Sequence, residues 1–116
     1  MHNFKELHVW KLSKDLCKEI YSVTNSFPDS EKYGLIGQLN RAAMSIPSNI
    51  AEGSSRKSDK DFSRFIDIAL GSSFEVETQI IIASDLKLID ETIFLKIEKS
   101  IQQVQKMLYK FNQHLK

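Results

Sequence analysis

Glycine and proline are scarce in this chain, with four and two among 116 residues. An all-β fold with many tight turns needs more punctuation than that, so such a fold is set aside. Cysteine is almost missing as well. The lone Cys17 has no intramolecular partner, so no disulfide frame holds the fold, and a cytoplasmic location suits it. Neither sign of charge is in excess. Sixteen basic residues face fifteen acidic ones, a net charge of +1, whereas a dedicated duplex-binding protein shows a marked basic surplus. No stretch approaches ~20 uncharged apolar residues, so no membrane span is expected. The stretch His2-Asn3-Phe4-Lys5-Glu6-Leu7 lacks the apolar run of a signal peptide. What remains is an ordinary globular composition, 41% hydrophobic and 27% charged. It is long enough to bury a real core as a single domain over residues 1–116.

Four segments repeat apolar residues at spacings of three and four, which gathers them on one helical face. Segment one, roughly Glu6 to Ser26, carries Val9, Leu12, Leu16, Ile20, Val23 and Phe27, and Pro28 ends it. Segment two, roughly Glu31 to Glu52, carries Leu35, Leu39, Ala42, Ala43, Ile46 and Ile50, with Gly53 placed to end it. Pro47 lies inside this stripe. A proline there costs an isolated helix ~3 kcal/mol, yet the stripe keeps its phase across it. The spacing predicts a helix kinked near Pro47, with two short helices meeting there as the alternative. Segment three opens on Ser58 as N-cap and follows Phe62, Phe65, Ile66, Ala69, Ser73, Val76, Ile80 and Ala83 to about Ile89. The small Gly71 offers a close helix crossing. Segment four starts at Asp90 and carries the seam Ile97, Ile101, Val104, Leu108, Phe111 and Leu115. Short connections between long amphipathic segments predict an all-α, antiparallel up-down-up-down four-helix bundle.

Segment three has a second apolar stripe. Leu70, Phe74, Ile81 and Leu88 share a face about 100° from its first stripe. A wide buried arc on a central helix is one reading. Exposed apolar patches tend to mark contacts, so the expectation is a subunit interface and a homo-oligomer.

Chemistry-bearing patterns are missing. The histidines, His2, His8 and His114, sit near the ends of the sequence, and no paired-cysteine or H-E-x-x-H zinc pattern occurs. Glu-x-x-His motifs, which two-metal bundles use, are lacking. Gly34 and Gly37 are not followed by the Lys-Ser/Thr of a phosphate loop. Trp10, Tyr33, Phe62 and Phe65 fall at helical spacing, where core packing is favoured over base stacking. No catalytic residue, metal, cofactor or small-molecule substrate is expected, and the chain is read as non-enzymatic. The stretch best suited to phosphate contact is Arg56-Lys57 with Lys60 and Arg64, and Arg41 is a further candidate cation. Asp59, Asp61 and Asp67 dilute it, so a solvated surface is the competing reading.

Several ordered motifs resemble a known family. They are Val9-Trp10, then Phe27-Pro28-Asp29-Ser30-Glu31-Lys32-Tyr33-Gly34-Leu35, and Gln38-Leu39-Asn40-Arg41-Ala42. Next come Ser45-Ile46-Pro47-Ser48-Asn49-Ile50-Ala51-Glu52-Gly53, Phe62-Ser63-Arg64-Phe65-Ile66-Asp67-Ile68-Ala69-Leu70-Gly71-Ser72, and Glu75-Val76-Glu77-Thr78-Gln79. Together they resemble the four helix bundle proteins encoded in intervening sequences of bacterial 23S rRNA genes. Asn40 departs from the pattern, standing where a second arginine is common. The resemblance implies an up-down bundle, often assembled as a ring-shaped homopentamer, with no catalytic residues to carry over. Similar accessory proteins of diversity-generating retroelements bind a reverse transcriptase and nucleic acid. The resulting expectation is a non-enzymatic oligomeric binding or scaffold protein that associates with ribosomal RNA or a ribonucleoprotein. A protein adaptor for a larger enzyme, such as a reverse transcriptase, is the alternative.

Overall fold

The computed structural model describes residues 2–116, with Lys32 and Tyr33 described through their backbone alone. Four long helices account for most of it: α1 (His8–Thr24), α2 (Gly37–Ser54), α3 (Asp59–Asp85) and α4 (Glu91–Leu115). Each packs against the next, and α4 returns to α1, which closes an up-down-up-down bundle. The molecule measures 43 × 24 × 20 Å.

The caps follow local chemistry. Ser58 Oγ accepts the Asp61 N–H at 3.1 Å and Asp90 Oδ1 accepts the Ile93 N–H at 2.8 Å, which satisfies a donor that each helix start leaves open. The first segment begins later than its apolar pattern suggests. Asn3 caps a short 3-10 turn, Phe4–Glu6, and the extended Leu7 separates that turn from α1. Segment two is the kinked one. Its helix α2 runs unbroken past the buried Pro47, so two short helices do not meet there, and helical geometry is lost upstream at Gly34 (φ -104°, ψ -105°). There a 3-10 turn, Asp29–Glu31, and a π-helical turn, Lys32–Ile36, lead into α2.

α3 stops at Asp85, short of the expected Ile89. Lys87 takes a left-handed conformation at φ 64°. The Leu88 N–H then reaches back to the Ala83 carbonyl at 2.9 Å, and the Lys87 N–H to the Ser84 carbonyl at 3.0 Å. This paired return closes a helix in the manner usually built on glycine.

Two glycines serve differently from their expected roles. Gly53 does not follow the end of α2; it lies inside the helix, and no glycine has positive φ among the described residues. A Cβ on it would sit 2.7 Å from Phe65 Cβ and 2.8 Å from Phe62 Cδ1, so its smallness lets α2 and α3 close together. A Cβ on Gly71 would meet nothing within 4 Å, so that glycine marks no close crossing.

The expected stripes line one core. Leu16, Ile20, Leu39, Ile46, Ile50, Phe62, Ile66, Ile80, Ile101 and Leu108 are sealed from solvent. Burying each such side chain is worth ~1.5–3 kcal/mol. Phe65 and Phe111, which spacing assigns to the stripes, are only half-buried. Asn112 takes the seam position that spacing gives to Phe111. It is 6% exposed, accepts from Ser63 Oγ at 2.6 Å and donates to Asp67 Oδ1 at 2.7 Å.

α3 and α4 are the longest helices, at 27 and 25 residues against 17 and 18 for α1 and α2. Gln38, at the start of α2, accepts from Gln79 Nε2 at 3.3 Å. In the last turns of α3, past Gln79, Ile80 and Ala83 remain buried.

Candidate functional site

The basic residues occupy the corner where α2 turns into α3. Two of the four cations there are held by acids. Arg56 reaches Glu52 at 3.1 Å and lies 4.6 Å from the centre of the Phe65 ring. Arg64 reaches Asp61 at 3.4 Å. Both pairs are largely exposed, and such pairs contribute only ~0–1 kcal/mol, so a phosphate can replace either carboxylate at little cost. Lys57 and Lys60 are exposed beside them. Arg41 does not join this corner. It stands near the other end of α2, ~20 Å away by helical rise, and shares a shallow polar pocket with Gln38, Ser45 and Glu75. Glu75 and Arg41 form no ion pair, and Glu77 accepts from Gln105 Nε2 at 2.9 Å.

The second stripe of α3 divides into two kinds of residue. Leu88 drops out of it, because α3 ends at Asp85 and the left-handed Lys87 turns the chain away. Leu70 and Leu88 are both half-buried and pack on the core. Phe74 and Ile81 are 52% and 40% exposed. Beside the first of these, Leu70, Phe74 and Tyr109 form an apolar groove of about 440 Å³ between α3 and α4, edged by Lys106 and Lys110.

Two surface features escape the sequence pattern. The first is a second apolar groove, of about 380 Å³, between α1 and α2. Phe4, Trp10, Met44 and Pro47 form its walls, and Lys14 and Lys18 stand on its rim. Trp10 is fixed edge-on to Phe4 at 5.1 Å, and Lys14 Nζ sits 5.3 Å from its ring. Cys17 closes the floor, where burial pushes its thiol pKa up. The second is the end of the α3–α4 hairpin. Ile81, Ile82, Leu86, Ile93 and Leu95 are 40–58% exposed there. Half of the ten exposed large hydrophobics among the described residues thus fall within fifteen positions.

No catalytic constellation is assembled from these parts. Among the described residues, no group of three or more His, Cys, Asp and Glu side chains could hold a metal ion. The His2 ring lies 5.1 Å from that of Phe62, and its backbone N–H bonds the Ser54 carbonyl. Gln79 Oε1 is a buried side-chain oxygen without a partner. No helix is long and apolar enough to cross a membrane among the described residues.

A family model described as 23S rRNA-intervening sequence protein matches residues 5–110. No curated protein matches the chain. Among solved structures, the chain is similar to a protein of unknown function of the S23 ribosomal protein family from Bacteroides thetaiotaomicron. The TM-score is 0.84 at 22% identity, over 90% of this chain and 97% of the other. At that identity the likeness speaks for the four-helix fold alone.

Proposed function

Because this chain belongs to the 23S rRNA-intervening sequence protein family, we propose that it is a non-enzymatic, self-associating cytoplasmic binding protein that contacts ribosomal RNA or a ribonucleoprotein. One observation carries the self-association. The bundle has completed its core, and yet Phe74 and Ile81 remain 52% and 40% exposed on one face of α3. Exposed apolar surface of this kind marks contacts. A ring of five is the number that the family resemblance implies.

The corner of Arg56, Lys57, Lys60 and Arg64 supports the RNA contact. A single copy offers few cations against a net charge of +1. An assembly repeats that corner, so weak phosphate contacts add through effective concentration. Light scattering at micromolar concentration should give a multiple of the 13.4 kDa chain mass. Fragments of the host 23S rRNA should bind at low salt, and affinity should fall steeply as salt rises. A monomeric mass, or no binding at low salt, refutes the corresponding half of the proposal.

A further inference from the structure

We infer that the groove between α3 and α4 holds an unpaired RNA strand, with a base stacked on Tyr109 and phosphates on Lys106, Lys110 and Lys116. The inference rests on the RNA-contact reading. It adds a site distinct from the basic corner and names the form of RNA taken, single-stranded and not duplex.

The near-neutral charge of the whole chain conceals this region. From Lys99 to Lys116 the sequence has four lysines and no acid, a local charge of +4. The whole chain carries +1, so everything before Lys99 sums to −3, four less. Attraction for a polyanion is thus concentrated on the last turns of α4.

Three of these lysines meet an exposed aromatic ring. The groove of about 440 Å³ edged by Lys106 and Lys110 adjoins a smaller hollow of about 210 Å³ that reaches Lys116. Leu70, Tyr109 and Gln113 line both, so the two form one channel along α4. Lys106 and Lys110 stand about one helical turn apart, and Lys116 follows ~9 Å further along the axis. Tyr109 is 52% exposed. Gln113 Nε2 donates to its hydroxyl at 3.0 Å, which steadies the ring. Asp67 is the one acid lining the channel, and its carboxylate already accepts from Asn112 Nδ2 at 2.7 Å. A positive groove that tracks the backbone, with an aromatic ring for the bases, is how proteins hold single strands.

A duplex suits the channel poorly. Its bases are stacked on one another and offer Tyr109 no free face, whereas an unpaired base can be splayed onto it. The basic corner lacks this second element, because the Arg56 guanidinium lies over Phe65. Corner and channel share one end of the bundle, since Ser63 near the start of α3 bonds Asn112 near the end of α4. Phe74 walls the channel and also belongs to the α3 face of the self-association reading. Tyr109 and the three lysines all belong to α4, and the site is tested through them.

The test measures fluorescence anisotropy at low salt with two labelled probes, an oligouridylate strand and an RNA duplex of equal length. The wild type should bind the strand more tightly. Tyr109→Ala should weaken strand binding about ten-fold or more, as loss of one base–aromatic stack does, and leave duplex binding unchanged. Tyr109→Phe should restore it. Lys106→Gln with Lys110→Gln should flatten the salt dependence of strand binding by ~1.4, at ~0.7 for each phosphate contact on a single strand. All three positions are exposed, so helical circular dichroism should match the wild type. Strand binding that is indifferent to Tyr109→Ala overturns the inference, as does an equal loss on the duplex. Binding that prefers the duplex, or that only Arg56→Gln with Lys60→Gln removes, places RNA at the corner; the inference then fails and the RNA-contact reading survives. No binding of either probe overturns both and leaves the channel to a protein partner.

Discussion

The middle of the bundle and its α3–α4 end are built from the same residues. Ile66 and Ile101 are completely buried, whereas Ile82 and Leu95 are 44% and 55% exposed. Composition does not distinguish them; the face each occupies does. Even in the middle, Ile68 is exposed two positions from the buried Ile66. Past Gln79, Ile80 and Ala83 are buried while Ile81 and Ile82 are exposed. Burial is thus decided by which side of the helix a residue stands on. An aliphatic residue stabilises the fold on the inner face and remains available to a partner on the outer one.

The sharpest way to break that comparison is to remove a side chain from each region. Phe62 is 1% exposed and touches the rings of His2 and Phe111. Phe62→Ala should cost ~3–5 kcal/mol in urea unfolding, since it opens a cavity at the bundle floor. Gly53→Ala tests the same region by adding volume. Its methyl would meet Phe62 and Phe65 at 2.8 and 2.7 Å. Overpacking of that kind should cost ~1–3 kcal/mol, and an unchanged urea midpoint would mean that α2 and α3 are not in tight contact there. Leu95→Ser should have the smallest effect, within ~0.5 kcal/mol of the wild type, because the residue contributes little to its own fold. A loss at Leu95 as large as that at Phe62 would erase the distinction between the two regions.

The four helices are legible in the sequence because their stripes hold phase over many turns, and Ser58 and Asp90 announce two of the starts. The end of α3 is not. Lys87 supplies the left-handed residue where glycine is usual, so nothing in the residue types marks the stop. Gly53 reads as a helix terminator because its need for space becomes visible only when Phe62 and Phe65 arrive from another helix. Spacing alone prefers the aromatic Phe111 to Asn112, whose pairing with Ser63 and Asp67 is a tertiary fact. The basic corner is legible because Arg56, Lys57, Lys60 and Arg64 are close in sequence. Charge groups Arg41 with them, and helical rise separates it. The α1–α2 groove leaves no trace in the pattern, because Phe4, Trp10, Met44 and Pro47 meet through packing alone.

The buried trio of Ser63, Asn112 and Asp67 has a meaning beyond its two hydrogen bonds. An apolar seam such as that of α4 tolerates sliding, because one aliphatic residue can replace another a turn away. Shifting α4 by one turn would place Asn112 opposite a carbon surface and leave its amide without partners, at a loss of ~1–3 kcal/mol. The trio therefore acts as a locating pin that admits one longitudinal setting of α4 against α3. Since Ile82, Leu86 and Leu95 stand at the common end of the same two helices, the pin also sets how those exposed side chains stand relative to one another.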